Sequence, residues 1–106
     1  MESPAKTKPI STDPPELTFN SIQAGKTHQQ IFRIQNNLET SISLTLKPSS
    51  EQILISPREL TLSALESQEI LVEVMVSSFG RKREKKEWVL IKGEFFDMRM
   101  NVYLIP

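Results

Sequence analysis

Residues 68–77 read QEILVEVMVS, and they decide the fold. Ile70, Val72, Val74 and Val76 fall on every second position, with Leu71, Glu73 and Met75 between them. A period of two places the first set on one face of an extended strand, and β-branched side chains are stiff and favour the pleated conformation. At helical spacing the same residues would spread around the whole cylinder. The stretch is therefore a strand buried on one face, central in its sheet.

Working outward, TSISLTLK at 40–47 shows the cleanest alternation, with Ile42, Leu44 and Leu46 inward and Ser41, Ser43, Thr45 and Lys47 outward. Gln29–Gln35 places Phe32 and Ile34 inward and ends at Asn36-Asn37. Glu16–Asn20 carries Leu17 and Phe19 on one face, before a turn around Gly25. Ile53–Ile55 is short and stops at Pro57, which lacks the N–H a central ladder position needs. Leu60, Leu62 and Leu65 read as core anchors in a crossing segment. Glu87–Lys92 and Met98–Ile105 supply two more runs, separated by Gly93 and Asp97. Seven strands at this spacing, with no helical period anywhere, predict an all-β, two-sheet sandwich of immunoglobulin topology.

The chain has 106 residues and 38% hydrophobic content, enough for one domain with its own core. Thirteen basic side chains balance thirteen acidic ones, so no global field favours nucleic acid or an anionic membrane. The absence of cysteine removes disulfides, thiolate nucleophiles and zinc–thiolate clusters, and fits a reducing, cytoplasmic compartment. Residues 1–13, MESPAKTKPISTD, offer only Ala5 and Ile10 as internal apolar material and predict a flexible arm ahead of a domain over 14–106. They contain no apolar signal core, and no later run is long enough for a spanning helix, so direct membrane insertion is not expected.

Catalysis is not expected either. His28 is the single histidine and lies among glutamines at the start of a strand, and Gly25, Gly80 and Gly93 are too scattered for a phosphate loop. One histidine with dispersed carboxylates gives no metal-ligand spacing, and no cofactor is expected.

The remaining chemistry is RKREKK at 81–86. Arg81, Lys82, Arg83, Lys85 and Lys86 form a solvated hairpin loop or a docking patch for an acidic partner. Nucleic acid is disfavoured, because Glu84 and Glu87 dilute the charge and no aromatic repeat offers base stacking. Trp88 reads as a core residue opening the next strand. Lys47, Thr45 and Ser49 read as a solvated strand edge. Only one ring of Phe95-Phe96 fits the core easily, and the other, assigned to Phe96, is a candidate partner contact. Tyr103 and Ile105, on the outer register of the last strand, are a further candidate for self-association or docking.

Several short stretches resemble the major sperm protein (MSP) domain family, which includes the VAMP-associated proteins and the centrosomal and ciliary ASH domains. Asp13-Pro14-Pro15-Glu16-Leu17-Thr18-Phe19 is similar to the family's opening strand, and Phe32–Asn36 to its second strand ending in asparagine. Ile53–Pro57 resembles the run closed by the family's kinking proline. Phe79-Gly80, Lys86-Glu87-Trp88, Gly93 and Pro106 resemble the end of the nematode sperm proteins at nearly matching spacing. The resemblance implies a seven-stranded immunoglobulin-like sandwich serving as a non-enzymatic protein-interaction domain, of sperm-cytoskeletal or filament-accessory type, acting by self-association or docking. It also admits two alternatives: an adaptor of the VAMP-associated type that binds acidic peptides carrying two phenylalanines, or a centrosomal or ciliary scaffold module of the ASH type.

Overall fold

The computed structural model describes residues 8–81 and 83–106. Nine strands make up the regular structure among them: β1 (Ile10–Asp13), β2 (Leu17–Phe19), β3 (Thr27–Asn36), β4 (Ile42–Pro48), β5 (Ile53–Ser56), β6 (Glu59–Leu62), β7 (Ser67–Met75), β8 (Lys85–Lys92) and β9 (Asp97–Leu104). They form a four-stranded sheet in the order β1-β3-β7-β5 and a five-stranded sheet in the order β2-β9-β8-β4-β6. The all-β immunoglobulin-like sandwich expected from the alternation is what the chain forms.

The inward sets close one core between the sheets. Ile70, Val72, Val74 and Val76 meet Phe32 and Ile34 of β3 on one side and Leu44, Leu46, Val89, Ile91, Met100, Val102 and Leu104 on the other, all buried. β7 is interior, paired to β3 from Thr27↔Met75 to Gln35↔Ser67 and to β5 from Ile53↔Val74 to Ser56↔Leu71.

Two strands exceed the expected seven. The crossing segment forms β6, which pairs with β4 and buries Leu62, while Leu60 is half-buried. Leu65 is not the anchor expected: it sits at φ 60° in the turn before β7, a backbone that points its side chain away from the core, and it is 58% exposed. The second addition corrects the flexible-arm reading. Residues 1–7 lie outside the described residues, but Ile10–Asp13 pairs antiparallel with β3, from Ile10↔Asn36 to Asp13↔Arg33, and Ile10 is 1% exposed. A four-residue stretch with one large apolar side chain cannot order itself, yet β3 offers it a complete ladder and a covered site for that one side chain.

Asn36 is the only buried polar side chain among the described residues. Its Nδ2 donates to the carbonyls of Thr40 (2.8 Å), Ser63 (3.0 Å) and Leu62 (3.3 Å), and its Oδ1 accepts from the N–H of Leu38 (2.9 Å). The end of β3 is thereby joined to the loop before β4 and to the end of β6.

A candidate partner-binding face

On the five-stranded sheet, Val89 and Ile91 are fully buried, so Lys86, Trp88, Leu90 and Lys92 of β8 point outward. This corrects the placement of Trp88 in the core. Ser49 fixes the start of the strand: its Oγ donates to Glu87 Oε1 (2.7 Å) and accepts from the N–H of Trp88 (3.0 Å), and its own N–H donates to the Trp88 carbonyl (2.9 Å). The Ser49 side chain is thus turned to β8 rather than to a partner.

The neighbouring strands complete the face. β9 lies beside β8 with Lys86↔Tyr103, Trp88↔Asn101 and Leu90↔Arg99 opposed. The Arg99 guanidinium lies 4.3 Å from the centroid of the Trp88 ring, and Lys86 Nζ lies 5.9 Å from that of Tyr103. Both contacts are in cation–π range and hold each ring beside a positive charge. On the other side, β4 brings Thr45 and Lys47 opposite Lys92 and Leu90. Since β4 runs between β8 and β6, these two residues stand on a sheet face, not on the strand edge expected. The face therefore carries two aromatic rings and Leu90 among Lys47, Lys86, Lys92 and Arg99, against the acids Asp97 and Glu59. Among the described residues no ion pair neutralises any of the four cations.

The other sequence candidates are placed as follows. Lys82 lies outside the described residues. Arg81 and Arg83 are exposed in the connection from β7 to β8; the two strands belong to different sheets, so this connection is a crossover and not a hairpin. Lys85 and Lys86 are strand residues opening β8. An open hollow of about 730 Å³, bordered by Phe79, Arg81, Glu84, Lys85 and Lys86, joins this crossover to the face. Phe96 is the ring that turns inward, packing on the core and covering Gly93, where an added Cβ would stand 2.6 Å from Phe96 Cε1. Phe95 is the outward ring, 92% exposed. Tyr103 and Ile105 do not lie on a free edge, because β2 runs parallel to β9 along Leu17↔Val102 to Phe19↔Leu104. Ile105 donates its N–H to the Phe19 carbonyl and accepts from the N–H of Ile22, each at 2.9 Å. His28 Nε2 accepts from the N–H of Gln23 (3.2 Å), a bond within the fold.

Leu90, Lys92 and Arg99 were not singled out in the sequence. The signal was present: once Val89 and Ile91 are assigned inward, the period of two places Trp88, Leu90 and Lys92 outward together.

No protein-family model matches the chain, and no curated protein matches it. Its fold is matched by solved structures. The C. elegans MSP-domain-like protein SSP-19 superposes with a TM-score of 0.74 at 11% identity, covering 91% of this chain and 99% of that one. The seventh ASH/PapD-like domain of human CEP192 gives 0.70 at 13% identity over 99% of this chain and 92% of that domain. The E. coli chaperone DraB gives 0.74 at 12% identity over 92% of this chain. The chain spans little more than half the length of the chaperones it matches, 54% of DraB and 57% of SfaE. The class defined by the fold is thus the immunoglobulin-like β-sandwich shared by MSP, ASH and PapD-like domains.

Proposed function

We propose that this chain is a non-enzymatic protein-interaction domain that holds an acidic, aromatic-bearing segment of a partner protein on the outer face of its five-stranded sheet. The observation that supports the reading is the outward row Lys86–Trp88–Leu90–Lys92 of β8, with Arg99 stacked on Trp88 and Lys86 beside Tyr103. An acidic segment lying across the row finds unpaired cations for its carboxylates, and its rings find apolar surface between them. Aromatic and arginine side chains at the centre of a contact carry a disproportionate share of binding energy. The alternative of nucleic acid is less well served, since the face also bears Asp97 and Glu59 and the chain has no net positive charge. The resemblance to MSP domains supports the finer reading of a cytoplasmic filament-accessory or scaffold module.

Trp88 is the single tryptophan, so its emission reports on the face directly. Titration with an acidic peptide carrying two phenylalanines is expected to change Trp88 emission saturably, with affinity falling as salt rises. Lys86→Glu with Arg99→Glu is expected to abolish the change. No emission change and no heat of binding at about 1 mM peptide, a limit corresponding to about 4 kcal/mol, would refute the reading.

A further inference from the structure

At the end of the sandwich where β3 leads into β4 and β8 into β9, the two connections meet the start of β1 around a cleft. Pro9, Leu38, Ile42, Phe95 and Phe96 supply its apolar lining and Glu94 its one charge, around about 160 Å³ of space. Hydrogen bonds hold each wall. The Asn37 N–H and Nδ2 donate to the carbonyls of Pro9 (2.9 Å) and Lys8 (3.1 Å), Asn36 ties Leu38 to Thr40, and the Gly93 N–H donates to the Phe96 carbonyl (2.8 Å). The cleft is therefore preformed. Leu38, Ile42 and Phe96 are half-buried, whereas Phe95 stands beside them 92% exposed. The fold itself leaves that ring and the space beside it uncovered.

We infer that this cleft receives one aromatic side chain of an extended segment of another protein, with a basic residue beside that ring meeting Glu94. Size fixes the anchor. An engineered cavity of about 150 Å³ lined by leucine, isoleucine and phenylalanine holds one benzene ring. A free small-molecule ligand ordinarily occupies about 300–1,000 Å³, so this space suits one side chain of a longer chain and not a whole ligand. The incoming ring packs on Phe95 and Phe96, offset or edge to face. Charge fixes what flanks it. Glu94 is exposed in the lining, Glu39 is exposed between Leu38 and Thr40, and no ion pair among the described residues engages either. Two cations near this end are otherwise placed. Lys8 borders an adjoining hollow of about 240 Å³ together with Asp97, and Lys92 stands opposite Asp97 in the ladder and points to the outer face of the five-stranded sheet. An arginine beside the anchor can meet the Glu94 carboxylate through two parallel hydrogen bonds. A second copy of the chain is the poorer occupant, because three of its five exposed large apolar side chains stand next to an acid: Glu66 follows Leu65, Glu94 precedes Phe95 and Glu73 opposes Leu54. The site shares no contact residue with the basic aromatic face and stands apart from the proposed function.

The probe is a capped pentapeptide, Gly-Arg-Phe-Arg-Gly, titrated into the isotope-labelled chain and followed by nuclear magnetic resonance. Signals of Leu38, Ile42, Glu94 and Phe95 are expected to shift saturably below about 1 mM peptide, with affinity falling as salt rises. Replacing the peptide's phenylalanine by alanine, or Phe95→Ala in the chain, is expected to weaken binding at least about tenfold, as for an aromatic ring at the centre of a contact. Glu94→Lys is expected to lose that peptide and to take one with glutamates in place of both arginines. Both substituted positions are exposed in a turn, so the fold persists, and signals elsewhere in the chain report it. Lys86→Glu with Arg99→Glu is expected to bind the pentapeptide as wild type does, and Phe95→Ala to keep the Trp88 response to the acidic peptide, so each reading can fail alone. No shift at these residues, equal binding by the alanine peptide, or wild-type affinity in Phe95→Ala or Glu94→Lys would overturn the inference. Failure of the charge exchange, or loss of binding in the Lys86→Glu, Arg99→Glu variant, would do the same. So would benzyl alcohol shifting the same signals as tightly as the peptide does, which marks a free-ligand site, or dilution of the unliganded chain shifting them, which marks a second copy.

Discussion

Replacing Asn36 by alanine tests the claim that one buried amide joins three parts of the fold. The substitution removes three donations, to the carbonyls of Thr40, Ser63 and Leu62, and one acceptance from the Leu38 N–H. The bond to Leu62 is fully buried, and the others are part-buried and can recruit water once the side chain is gone. A buried carbonyl that loses its donor costs roughly 1–3 kcal/mol, and part-buried groups that rehydrate cost roughly 0.5 kcal/mol each. The expected loss is therefore about 2.5–4.5 kcal/mol. That is a large share of the roughly 5–15 kcal/mol that holds a domain of this size. At roughly 4–8 °C per kcal/mol, the melting temperature is expected to fall by about 10–35 °C. Urea unfolding followed by circular dichroism gives the same quantity from the midpoint, with the slope unchanged if the denatured state is unaffected. Asn36→Asp sharpens the assay, because it keeps an acceptor for Leu38 but directs a carboxylate at three carbonyl oxygens, and it is expected to be at least as damaging. A melting temperature within about 2 °C of wild type for Asn36→Ala would show that the amide is dispensable and the reasoning wrong.

A truncation and a substitution probe placements that the sequence alone left open or misjudged. Removing residues 1–13 is expected to lower stability by about 2–4 kcal/mol, since Ile10 is buried and a strand is stripped from β3, whereas a truly flexible arm would cost under about 0.5 kcal/mol; thermal melts of the truncated and full chains decide it. Gly93→Ala places a Cβ 2.6 Å from Phe96 Cε1, so the ring must leave its site on the core, and a loss of roughly 1–3 kcal/mol is expected; an unchanged melt would mean the ring does not cover Gly93.

The strand alternation in 68–77, 40–47 and 98–104 specified three strands and their inward faces without any knowledge of partners. Each stretch places apolar side chains at a strict period of two, with only polar or charged residues between them in 40–47 and a mixture that includes Leu71, Met75 and Tyr103 in the other two, and the unbroken apolar set marks the buried face. The two-sheet class followed from the number of such stretches and the turn residues between them. Trp88-Val89-Leu90-Ile91 has no such asymmetry, because all four side chains are apolar and either set can face inward. Only the pairing of β8 with β4, Leu46 opposite Ile91, selected Val89 and Ile91 for the core and left Trp88 on the surface. Ile10–Asp13 carries one large apolar residue and has no local reason to order; a ladder with β3 residues twenty or more positions away in sequence supplies it. The covering of β9 by β2 is likewise a contact between distant parts of the chain. The basic face was hidden most completely, because composition sums all charges to zero. Lys47, Lys86 and Arg99 become neighbours only when three strands lie side by side.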